Sequence, residues 1–113
     1  MNDKQLLLKD LCARLPYGVI IHVNGHDERV DEINPFEGII TYGFQSFSID
    51  ECKPYLRPMS SMTEEECDEW AQLESDEWGI NSIDWLNCKM FDYRDLISKG
   101  LAIEVTRENN PYK

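Results

Sequence analysis

Residues 63–86, TEEECDEWAQLESDEWGINSIDWL, carry nine carboxylates, three tryptophans and no basic side chain. Carboxylates at that density could do acid–base chemistry, hold a cation or attract a basic partner. Acid–base work needs two carboxyl groups whose surroundings push their pKa values apart, normally through burial. This spacing does not signal it, because Asp68, Asp76 and Asp84 are interrupted by Gly79 and share no helix face. A calcium loop needs oxygen ligands at alternate positions, a central glycine and a closing glutamate, which ESDEWGINSID lacks. His22 and His26 form H-x-x-x-H on a strand running into a turn, so they would not share a face as zinc ligands do. Cys12, His22 and an aspartate could be assembled on paper into a nucleophilic set, without any local signature. Cys12, Cys52, Cys67 and Cys88 lack paired C-x-x-C spacing and read as reduced, buried small hydrophobes. We therefore assign no catalytic residue, no cofactor and no metal from the sequence.

The elements that must carry these side chains divide the chain in two. Residues 3–14 read as a helix with Leu7, Leu8, Leu11 and Leu15 on one face, leaving Lys4, Lys9, Asp10 and Arg14 to water. Residues 18–50 read as antiparallel strands. Val19, Ile21 and Val23 point one way, and Asn24-Gly25 marks a turn that His26, Asp27 and Glu28 are expected to lengthen. A phase break at Gly43 predicts a bulge or tight turn. Residues 52–62 form a proline-stiffened extended crossover. Residues 63–100 read as two to three short helices, the first opened by a Thr63/Glu66 capping box with Met62 and Cys67 as its staple. Ser82 and Asp92 stand as caps of the next two, and Gly100 with Leu101 as a Schellman ending. Residues 101–105 make a last edge strand, and the tail ENNPYK is expected to be loose.

The acid-rich stretch then has two readings. Glu64, Glu65 and Glu66 fill the first turn of a helix, where the positive dipole end favours anions. Cys67, Trp70 and Leu73 would face inward, leaving a solvated acidic face. The other reading is electrostatic: the row could steer a basic protein, or imitate a phosphate backbone. The net charge is −11, and residues 63–113 hold thirteen acids against five bases. That field repels nucleic acid and anionic membrane surfaces. The candidate partner-binding residues are Glu65, Asp68, Glu69, Asp76, Glu77 and Trp78, with Tyr55 and Arg57 on the crossover. The N-terminus has no apolar core of signal-peptide length, so a reducing cytoplasm is the expected compartment.

Three segments, LCARLPYGV, KPYLRPMSSMTEEE, and DWLN followed by FDYRDLISKGLAIE, resemble a family of small uncharacterised proteins common in gut anaerobic bacteria and their phages. The likeness covers about half the chain. It implies a bacterial or phage accessory protein and no particular biochemical role. Family members carry a histidine pair before FDYR where this chain has Lys89 and Met90, so no role for those histidines transfers.

The expected fold is α+β in one domain over residues 1–113. An N-terminal helix and a C-terminal helical group would pack on a small bent antiparallel sheet of three to five strands, with a barrel-like curl as one form. The expected function is a non-enzymatic protein-binding or regulatory domain of phage or mobile-element origin. The alternatives are an acidic nucleic-acid mimic inhibiting a DNA-processing or defence enzyme, and a small enzyme without a recognisable motif.

Overall fold

A computed structural model describes residues 2–74 and 80–112. The chain opens with α1 (Asp3–Arg14), where Asn2 and Gln5 form a reciprocal capping box: Asn2 Oδ1 accepts from Gln5 N at 2.8 Å, and Gln5 Oε1 from Asn2 N at 3.2 Å. Leu7, Leu8 and Leu11 are buried, as their spacing predicts. Asp10 and Arg14 are not in water, however. Both are fully buried and paired across one helical turn, Arg14 Nε donating to Asp10 Oδ2 at 2.9 Å.

Next come β1 (Ile20–Val23) and β2 (His26–Arg29), joined by a two-residue turn with Asn24 at φ 51° and Gly25 at φ 83°. Both central residues are left-handed, the type I′ geometry that matches strand twist. The turn is not lengthened: His26, Asp27 and Glu28 belong to β2. No apolar pattern marked this strand because it is a sheet edge whose residues are largely exposed. A second sheet follows with β3 (Glu32–Asn34), β4 (Ile39–Tyr42) and β5 (Gln45–Ser48) in sequential antiparallel order. Gly43, at φ 57°, opens the tight β4–β5 turn that the phase break foreshadows.

The proline-bearing crossover is itself a strand, β6 (Cys52–Pro58), and it organises the larger sheet. Its first half pairs antiparallel with β1. Its second half pairs in parallel with β7 (Phe91–Asp92) and β8 (Ile103–Glu104). Among the described residues the fold is α+β with a mixed five-stranded sheet and a three-stranded one, and no barrel closes. Parallel pairing was not expected because strand direction follows from the crossover connections, which residue alternation does not encode. Pro54 stands at the last rung against β1, before β8 joins at Tyr55, and Pro58 ends the strand. A missing N–H costs little at either place.

Where β1 and β6 diverge, Tyr112 plugs the fork. Ile20 N donates to the Tyr112 hydroxyl at 3.0 Å, and that hydroxyl donates to Tyr55 O at 2.8 Å. Burial pushes the phenol up to about 12, so it stays a donor. The tail is therefore tied down rather than loose.

The remaining helices are α2 (Glu64–Glu74) and α3 (Ile80–Cys88). Leu86, and Met90 just beyond the helix, are buried while Ile83 is exposed. No third helix forms after Asp92. Its carboxylate accepts from Leu96 N and Ile97 N, each at 2.9 Å, and holds a series of turns. Leu101 N to Leu96 O and Gly100 N to Ile97 O close those turns in the Schellman pattern. One continuous core joins α1 leucines to Val19, Ile21 and Val23, to Ile40 and Tyr42 of the smaller sheet, and to Leu56, Met90 and Leu96.

Candidate functional site: an acidic helix clamped to the sheet

Helix α2 begins as the capping box predicts. Glu66 N donates to Thr63 Oγ1 at 3.1 Å and Thr63 N to Glu66 Oε1 at 3.0 Å. Glu66 has a second task. Its two oxygens accept a bidentate pair from Arg57 Nη1 and Nη2, both at 2.8 Å. The Arg57 guanidinium in turn lies 4.2 Å over the ring of Phe91, which stacks on Trp85 of α3 at 5.7 Å. Helix, sheet and second helix are thus bolted together through one arginine. Fork-on-fork geometry is available to arginine and not to lysine.

This clamp rotates α2 away from the expected face. Glu66 and Trp70 are half-buried, whereas Cys67, expected to face inward, is exposed; the side chain of Leu73 lies outside the described residues. Cys12 and Cys88 are exposed too, so only Cys52 is the buried small hydrophobe that all four were expected to be. All four are free thiols, and burial raises Cys52 to about 11.

The carboxylates opposite the clamp face outward. Glu64, Glu65, Asp68 and Glu69 are exposed. Their spacings of three and four residues make them surface neighbours, and like charges so placed destabilise a helix by about 0.2–0.5 kcal/mol per pair. Glu69 also accepts from Trp85 Nε1 at 2.9 Å, which fixes its position against α3. Of the residues singled out in the sequence, Glu65, Asp68 and Glu69 are therefore brought together. Asp76, Glu77 and Trp78 lie outside the described residues. Tyr55 is not an exposed anchor: it is only 7% exposed and belongs to another cluster. Arg57 is likewise no outward contact, because Glu66 and Phe91 occupy its guanidinium.

The clamp makes stability depend on acid. The Arg57 hydrogen bonds hold the Glu66 carboxyl down at about 2. A folded-state value below the unfolded one, about 4.3, stabilises the fold above that unfolded value and is lost as pH falls towards 2. We predict that the thermal midpoint of the wild type falls more steeply than that of Glu66→Gln between about pH 4.5 and 2. Parallel curves in a pH-dependent melting series would remove the clamp from the account.

A second polar cluster sits on the larger sheet. The tight turn sets His22 directly opposite Asp27, and His22 Nδ1 lies 2.9 Å from Asp27 Oδ1. Tyr55 donates its hydroxyl to the same oxygen at 2.8 Å. The bond to His22 lowers Asp27, with a smaller contribution from Tyr55, while burial and the Asp27 bond raise Tyr55 to about 12. The Asp27 carboxylate engages Nδ1 and not Nε2, an arrangement that general bases share. Asp27 could have been found from the sequence: a strict two-residue Asn-Gly hairpin places residues 22 and 27 face to face. His26 belongs to the other face, where its Nε2 lies 3.1 Å from Tyr42 Oη, so the two histidines indeed do not converge.

Among the described residues, no group of three or more His, Cys, Asp or Glu could hold a metal ion, and no helix is long and apolar enough to cross a membrane. No family model, no curated protein and no solved structure matches the chain.

Proposed function

We propose that this protein is a non-enzymatic binding or regulatory domain whose acidic α2 face steers it onto a basic surface of a protein partner. One observation carries the proposal: Glu64, Glu65 and Asp68 stand exposed on a helix whose other side is fixed by Arg57 and Glu66. Rigid, unneutralised carboxylates give a long-range attraction and lose little entropy on binding. A cationic partner would also relieve the repulsion within the row. A cytoplasmic setting, with phage or mobile-element origin, fits the resemblance of the sequence.

Nucleic-acid mimicry is the second reading. It is less favoured because α2 spans only about 16 Å, a short row against a phosphate backbone. Both are tested by capture from nuclease-treated host lysate, comparing the wild type with Glu64→Gln/Glu65→Gln/Asp68→Asn. The proposal expects a protein retained by the wild type, released by salt and lost with the triple variant. Equal retention by both would refute it, and displacement of the captured protein by added DNA would favour mimicry.

A further inference from the structure

Residues 38–49, GIITYGFQSFSI, carry no charge in a chain that is 29% charged. They include β5, the outer strand of the three-stranded sheet. Outer strands are ordinarily shielded from pairing by charge, proline or a bulge. In β2, the edge of the larger sheet, four polar residues including Asp27, Glu28 and Arg29 serve that purpose. Strand β5, Gln45-Ser46-Phe47-Ser48, has none of these guards.

Its free edge can be located from the register. Tyr42 and Gln45 flank the two-residue turn and form its hydrogen-bonded pair, so the next pair, Thr41 and Ser46, is of the non-bonded kind. The 3.1 Å approach of Thr41 Oγ1 to Ser46 Oγ and the bond from Asp31 N to Thr41 O agree with this. The N–H and C=O of Ser46 therefore point away from β4, and Ser46 is exposed. Beside it stands Phe44, fully exposed at 109% on a turn pinned by Gly43 N donating to Asp31 Oδ2 at 2.6 Å. Phe36, at 98%, is equally exposed on the β3–β4 turn, pinned by Asn34 Oδ1 accepting from Phe36 N and Glu37 N.

We infer that β5 pairs antiparallel with β5 of a second copy of this chain, joining two three-stranded sheets into one of six strands. A second copy fits better than another partner for two reasons. A twofold axis at Ser46 makes the uncharged strand its own complement, and residues 38–49 put no carboxylate on the paired strands themselves, so acidic side chains meet only at the strand ends. The same operation accounts for both exposed phenylalanines. Strand β4 runs from the Phe36 turn to the Phe44 turn, so antiparallel pairing brings each Phe44 to the end of the sheet from which Phe36 of the partner subunit projects. At the two ends of the strand Asp31 and Asp50 approach across the axis, so the dimer tightens as salt screens them.

This inference stands apart from the partner-binding reading and is measured without any partner. Sedimentation equilibrium of the full chain, between about 0.02 and 0.5 M sodium chloride, should show a dimer that strengthens with salt, the opposite of binding through α2. Ser46→Pro removes an outward N–H without touching the β4 ladder, and Phe44→Asp adds a charge in the turn; each should weaken the dimer about tenfold or more. If circular dichroism shows Ser46→Pro to be misfolded, Phe44→Asp alone decides. A wild type that stays monomeric up to about 1 mM, or a dimer that the informative variants leave intact, overturns the inference.

Discussion

Replacing Asp10 by alanine should cost about 3–5 kcal/mol of folding stability, the penalty for leaving a buried charge without its partner. The side chains of Asp10 and Arg14 have no solvent exposure. Arg14 Nη2 also donates to Phe91 O at 2.6 Å, and Arg94 Nη1 reaches Asp10 Oδ1 at 3.3 Å. Arg94 and Arg14 both lie over the Tyr93 ring, whose hydroxyl donates to Asn87 Oδ1. One carboxylate thus pairs with two guanidinia and links α1 to the segment around β7. Without it Arg14 must either stay charged in the core or drag water inward. The double replacement Asp10→Leu/Arg14→Met should recover most of the loss, because neither fully buried charge remains and Arg94, which is 16% exposed, keeps the Tyr93 hydroxyl and access to water. Urea unfolding of the three proteins checks this; a loss below about 1 kcal/mol in Asp10→Ala would class the pair with exposed ones.

Phe91→Ala is expected to cost a similar amount, about 3–5 kcal/mol, by a different route. The ring is fully buried, with Trp85 stacked on it and Arg57 over it. Its removal empties the joint that seats α3 and the Arg57–Glu66 clamp on β6. Hydrogen exchange should therefore show α2 and α3 amides losing protection while β1 and β4 retain theirs. Uniform loss across the protein would mean that the two helices do not open as a separate unit.

Much of this frame is legible in the residues. The α1 boundaries, the inward set Val19, Ile21 and Val23, the Thr63/Glu66 capping box and the ending at Gly100 each follow from a local rule with a fixed spacing. What escaped the sequence depends on partners distant along the chain. Asp10 and Arg14 look like solvated helix residues until Phe91 O and Arg94 arrive from more than seventy positions away. Strand β2 has no apolar rhythm because it is an edge, and β7 is too short to have one, whereas β8 falls within the strand expected over residues 101–105. Glu66 was legible as a cap but not as the ligand of Arg57, and that second bond decides which side of α2 meets solvent. Cys67 was misplaced for the same reason: its side-chain type suggests burial, but the Arg57–Glu66 bond settles which side of the helix turns inward.

The central claim is that free carboxylates on α2 attract a basic protein at long range. Its most direct measurement is the association rate constant for the captured partner as a function of ionic strength. For the wild type the rate should fall steeply with added salt, and for Glu64→Gln/Glu65→Gln/Asp68→Asn it should start lower and change little. Identical slopes for the two proteins would contradict the claim.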